Sequence, residues 1–159
     1  MSNRVKDFSL KVLAPGTPED AFFKAGYSFY DSFKKVNQNT SITAWSPFSK
    51  VSTILTGNDD PQDIHILFGP PGEANKNRGT SGTFCWLCWD TTEIPLAWVE
   101  QCNRLDGVIV PNSFVKDVLV SCGVTVPVEI IPPIVRAPKT DKPHQDGLVV
   151  FTSVGSFNP

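Results

Sequence analysis

Apolar residues between positions 86 and 133 recur with two different periods, and their alternation orders the elements. Trp98, Val99, Cys102 and Leu105 recur at helical spacing, as do Phe114, Val115, Val118, Leu119 and Cys122, so each set falls on one helix face. Between and after them lie Val108–Val110 and Val128–Ile131. Both are short, β-rich and apolar, as strands buried on both faces of a parallel sheet are. The punctuation agrees: Asp106-Gly107 separates helix from strand, Asn112 can cap the second helix, and Gly123 can end it. The stretch predicts strand, polar loop, helix, strand, helix, strand and a proline-rich exit. That is the order of an α/β fold, a Rossmann-like doubly wound, mainly parallel sheet flanked by helices.

Upstream, Phe8–Leu13 alternates apolar and polar positions before Ala14-Pro15-Gly16, which suits a first strand. A helix is expected from about Tyr27 to Val36, with Phe29, Tyr30, Phe33 and Val36 on its inner side. Thr40–Ala44 reads as a second strand, followed from Trp45 to Leu55 by an irregular connection. Ile64–Phe68 is a further buried strand that stops abruptly in Gly69-Pro70-Pro71-Gly72, at the carboxyl edge where open α/β sheets bind ligands. Residues 73–82 are polar and read as a mobile surface loop. Thr83–Trp89 forms the next strand and ends in Asp90-Thr91-Thr92-Glu93 at the same edge. The expected organisation is a Rossmann-like domain over 1–133, a linker rich in Pro, Lys and Asp over 134–146, and over 147–159 the opening strand of a second Rossmann-like domain.

Composition narrows the function classes. The 159 residues suit one domain, or one domain plus a fragment, with a real core. The 14 basic and 16 acidic residues give a net charge of -2, and only Lys34-Lys35 are adjacent cations. No nucleic-acid binding is expected from that balance. The N-terminus lacks the apolar stretch of a signal peptide, and no run approaches the roughly 18 apolar residues that span a bilayer. A cytoplasmic location is the default expectation. Cys85, Cys88, Cys102 and Cys122 fall inside apolar element patterns, so reduced core thiols are expected. Cys85 and Cys88 are spaced like half a zinc or redox motif, but residues three apart on a strand face opposite ways and no second pair follows. No metal and no cofactor is expected.

The order Trp89-Asp90-Thr91, Ile94-Pro95, Trp98-Val99, Asn103, Asp106, Val110-Pro111-Asn112-Ser113-Phe114, Gly123-Val124 and Pro127–Pro132 resembles the N-terminal domain of GT-B enzymes of glycosyltransferase family 4. In that family a W-E-T, L-P, W-V, N, D, V-P-S-F progression is familiar. Leu148–Phe157 is similar to the opening strand of its second domain. Asp90 stands where the family usually has Glu, which keeps the charge and shortens the reach.

The resemblance implies the acceptor-side half of a retaining transferase that moves a sugar from a nucleotide-sugar donor to a carbohydrate, lipid or protein acceptor. The groups that grip the donor belong to the second domain in that family, so these 159 residues are expected to be inactive alone. Ala25-Gly26-Tyr27-Ser28 resembles the family's glycine turn, which implies donor diphosphate contacts at Gly26 and Tyr27. A glycine at the mouth of a helix lets an anion approach free N–H groups, although a single glycine there is commonly structural. His65, inside an apolar strand, is more commonly a satisfied core histidine; its functional reading is an acceptor contact at the cleft, together with Asp90 and Thr91. Structurally, Asp90 would merely cap its loop or pair with a cation. Asn112 or Ser113 is explained by helix capping, and His144 by solvation in the linker. A rival reading is a non-catalytic Rossmann-like module that binds carbohydrate or protein, and a doubly wound switch is weaker still. Uncovered apolar surface in a half-enzyme also implies self-association.

Overall fold

The structure, a computed structural model, describes residues 8–16, 21–45 and 63–134. Among them the chain runs β1 (Ser9–Pro15), α1 (Ala21–Lys34), β2 (Thr40–Trp45), β3 (Asp63–Phe68), α2 (Pro71–Lys76), β4 (Gly82–Trp86), α3 (Leu96–Cys102), β5 (Gly107–Val110), α4 (Ser113–Ser121) and β6 (Val128–Ile130). The six strands form one sheet in the order β2-β1-β3-β4-β5-β6, and every neighbouring pair is parallel. The order reverses between β1 and β3, the switch point where the loops on the two sides diverge and leave a crevice. This is the expected Rossmann-like doubly wound α/β fold. None of the helices described is long and apolar enough to cross a membrane.

Both sheet faces are apolar, which is why the strands lack a polar side. Leu10, Val12, Ile66, Phe68, Trp86 and Ile109 pack under Phe29 of α1. The alternate residues Leu13, Leu67, Cys85, Val108, Val110 and Val128 pack under Ala74 of α2, Val99 and Cys102 of α3, and Val115 and Leu119 of α4. The predicted caps of α4 are in place. The Asn112 side-chain oxygen accepts from the Val115 N–H at 3.0 Å. At the other end Gly123 has φ 99°, while its own N–H donates to Val120 and that of Val124 to Leu119. That pair of bonds closes a helix through a left-handed residue that glycine adopts without strain.

Four expectations need correction. Helix α1 begins at Ala21, not Tyr27, and ends before Val36, which is exposed. Gly26 therefore lies inside the helix. A Cβ there would stand 2.8 Å from the Ala14 Cβ and 3.4 Å from the Phe68 ring, so the missing side chain lets α1 settle onto β1 and β3. Glycine costs a helix about 1 kcal/mol relative to alanine, and here close packing outweighs that propensity. Second, residues 73–82 are not simply a loop, because α2 occupies Pro71–Lys76. Pro71 takes a first-turn position, where the absent N–H leaves nothing unsatisfied. Third, β4 stops at Trp86, since its neighbour β3 ends at Phe68 and Gly69 turns away with φ 144°. Fourth, Cys88 lies past that end and is exposed, while Cys85 and Cys102 are buried free thiols. The second-domain start and nearly all of the linker lie outside the described residues.

Candidate functional site

The carboxyl ends of β1, β3 and β4 open into a cleft of about 580 Å³, a volume typical of small-ligand sites. Its floor and sides are Pro15 after β1, Gly69-Pro70 after β3, and Leu87 to Asp90 after β4. Phe22 of α1, Glu73 of α2 and Trp98 of α3 complete the described wall. Each of these residues is placed by the strand or helix it adjoins. The Gly69 N–H donates to the Trp86 carbonyl at 3.3 Å, and the Cys85 thiol donates to the Gly69 carbonyl at 3.0 Å. Leu87 donates its N–H to Ile109 at 2.9 Å, so the loop that follows starts from a fixed point.

That loop is a built corner. Trp89 donates its indole N–H to the Glu93 carbonyl at 2.8 Å, and the Thr91 hydroxyl donates to the same carbonyl at 2.9 Å. The Trp89 ring stands 5.0 Å from that of Trp98, centroid to centroid, with the planes tilted by 55°. Two half-buried indoles thus present aromatic surface to the cleft. Phe22 adds a third ring, held edge-on to Trp86 with centroids 6.1 Å apart.

Charge in the cleft has one sign. Glu73 and Asp90 contribute carboxylates, and no Lys, Arg or His lies among the described lining residues. Glu73 is bonded at 2.7 Å to the Lys76 ammonium. No described cation pairs with the exposed Asp90 carboxylate. Burial pushes the Cys88 thiol above its ordinary pKa, and the Asp90 charge adds to that, against a smaller opposing hydrogen bond at the Trp89 backbone. Cys88 therefore stands in the cleft as a thiol rather than a thiolate nucleophile at neutral pH.

The predicted site residues separate. Asp90 lines the cleft and Thr91 fixes the loop beside it. Gly26 lies within α1, on the face packed against β1 and β3, where a residue inside a helix has its N–H committed to the preceding turn. The free-donor argument for a diphosphate there is lost. Tyr27 is 51% exposed and packs along α1 between Phe23 and Tyr30, at ring distances of 6.4 and 5.9 Å.

His65 does not face the cleft. Its Nδ1 lies 2.9 Å from the Asn77 carbonyl, and its Nε2 is 4.0 Å from Asp63, near the amino end of β3. The reason is its position early in the strand, beside the connection that leads from α2 into β4. Missed by pattern reading were Trp89, Trp98, Phe22, Glu73 and Cys88 as site residues. Trp98 sits in a helical apolar stripe, which conceals an aromatic partner for a strand-end loop. No family model, curated protein or solved structure matches the chain.

Proposed function

We propose that this chain forms the acceptor-side half of a retaining, nucleotide-sugar-dependent glycosyltransferase, binding the acceptor in the carboxyl-edge cleft. The observation that carries the reading is the pairing of fixed indoles with an Asp90 carboxylate that no described cation pairs, in a cleft at the switch point of the sheet. A sugar ring has an apolar face that lies against indole and hydroxyls that donate to a carboxylate. Asp90 would hold and orient an acceptor hydroxyl, and orientation of the attacking group is a large part of what a transferase supplies.

The same chemistry argues against gripping the donor here. A diphosphate needs cations or free backbone donors, and the described wall offers carboxylates. The donor would be held by a separate domain, and the cleft would form one wall of the assembled site. The raised Cys88 thiol adds no nucleophile, in keeping with a wall that binds and positions.

The test is an NMR titration of the 159-residue chain with simple methyl glycosides and with nucleotide sugars, run beside a transfer assay. Shifts of the Trp89 and Trp98 indole signals with glycosides, weak or no response to nucleotide sugars, and no turnover are expected. Failure of every glycoside to move those signals would remove the acceptor reading. Sugar transfer by the chain alone would instead show that the donor site is present. If glycosides bind, yet no companion donor domain restores transfer, a non-catalytic carbohydrate-binding module becomes the better description.

A further inference from the structure

The chemistry of the cleft points beyond a generic carbohydrate. We propose that the ligand of this cleft carries an ammonium group, held between the Trp89 and Trp98 rings and the Asp90 carboxylate. The inference rests on the reading of the cleft as an acceptor site, and it specifies which acceptors fit: amino-bearing ones with an apolar face.

Three observations converge on a cation. The first is the aromatic corner, whose indole faces attract cations through the ring quadrupole. The Trp89 N–H is already bonded to the Glu93 carbonyl, so this ring has its face and edges, not its donor, to offer a ligand. The second is the charge balance. Among the described lining residues there is no cation, and of the carboxylates Glu73 is bonded to Lys76 while Asp90 is not. The third is the surrounding wall of Pro15, Pro70, Leu87 and Phe22, which displaces water and strengthens any charge interaction made across the cleft. The Asp90 charge is felt inside the wall, since it adds to the upward shift of the Cys88 thiol. An anionic ligand would meet only like charge among the described lining residues, and a neutral one would engage Asp90 through hydroxyl hydrogen bonds alone, without the charge attraction an ammonium adds.

The experiment uses two matched pairs of probes: methyl glucoside with its 2-amino counterpart, and cyclohexanol with cyclohexylamine. Each is titrated into the full chain at about pH 6, below the range in which amines lose their proton, with the Trp89 and Trp98 indole resonances as the readout. The expected result is about tenfold tighter binding of the amine in each pair. Asp90→Asn should reduce that preference to about twofold, weakening the amines far more than the neutral probes, whose hydroxyls can still bond the amide; Asp90 is exposed and its removal disturbs no described packing. Glu73→Gln should change it far less, as Lys76 already neutralises that carboxylate.

The outcomes separate this inference from the reading beneath it. Equal binding within both pairs overturns the cation preference and leaves the acceptor cleft standing. Cyclohexylammonium binding without either glycoside sustains the preference and removes the carbohydrate reading. A preference that survives Asp90→Asn overturns the assignment to that carboxylate. Silence from all four probes overturns the inference and the acceptor reading together.

Discussion

The two edges of the sheet solve opposite problems with the same strands. At the amino edge, polar side chains bond to one another or to the backbone. Lys11 reaches Asp63 at 3.7 Å, His65 meets the Asn77 carbonyl, and the Thr83 N–H donates to Asp106 at 2.8 Å. At the carboxyl edge the wall is proline, indole and leucine, and the Asp90 carboxylate is left without a described cation. An edge whose polar groups are largely engaged closes a fold, whereas an apolar edge with a carboxylate that no described cation pairs is suited to a ligand. The comparison locates function more securely than the identity of any single residue: a histidine and an aspartate occur at the amino edge as well, and there they serve the structure.

Substitution at the amino edge gives the largest expected effect. Asp63→Ala removes the partner of Lys11, whose side chain is only 15% exposed, and so strands a largely buried charge. The Asp63 Oδ1 atom itself is buried without a hydrogen bond, so the pair is not an ideal one. A loss of about 2–3 kcal/mol is expected, below the usual range for broken buried pairs, as read from urea unfolding. Ligand-induced indole shifts at the opposite edge should persist. If Asp63→Ala abolished binding without changing stability, the division of labour between the edges would be wrong.

Trp98→Ala is the reciprocal test. It deletes one aromatic wall and should weaken binding of the tightest glycoside or amine by about tenfold or more. Because Trp98 is only half-buried, the stability cost should be about 1–2 kcal/mol. Calorimetry and urea unfolding on the same preparation would distinguish the two losses. Unaltered affinity would move the site away from this corner.

The fold was more legible than the site, for identifiable reasons. Parallel strands buried on both faces read as apolar runs, and α4 announced itself through Asn112 and Gly123. Helix α1 was misplaced because glycine is a poor helix former, yet Gly26 is required by the approach of Ala14 and Phe68. Helix α2 is too short and too polar to show a period, and its real signal was Pro71 at the first turn. The place of Asp90 and Thr91 just beyond the end of β4 was legible because a polar run follows an apolar strand. The Trp89–Trp98 corner was not, since it joins a loop to a helix stripe that looks like ordinary core. His65 lies near the start of its strand, so the strand bounds alone place it at the amino edge, away from the cleft.

Thiol reactivity sharpens the contrast at smaller scale. Cys85 and Cys102 lie within the core, where burial raises both pKa values, that of Cys102 to about 11. Cys88 is exposed at the cleft, and its pKa is raised by partial burial and by Asp90. A raised pKa means less thiolate at any pH below it, so at pH near 8 Cys88 should react with iodoacetamide more slowly than a free cysteine. Asp90→Asn removes one of the causes and should speed that reaction by about two- to threefold. Peptide mapping by mass spectrometry would follow each cysteine, with Cys85 and Cys102 staying unmodified. An unchanged Cys88 rate in Asp90→Asn would place the carboxylate's influence elsewhere.

The smallest expected effect bears on how the corner is held. Thr91→Val keeps the shape of the side chain but removes the hydroxyl that donates to the Glu93 carbonyl. Thr91 is exposed, so unfolding stability should move by less than about 0.5 kcal/mol. The Glu93 carbonyl keeps its bond from the Trp89 indole, so the corner should loosen rather than collapse. A two- to threefold weakening of binding, about half a kcal/mol, is the size expected of one exposed hydrogen bond acting through position alone. Its signature would be broadening of the Trp89 indole resonance in the unliganded chain, with that of Trp98 left sharp. Full affinity and an unaltered Trp89 signal would show that the aromatic wall is set by packing against Trp98, and that the hydroxyl only finishes a turn.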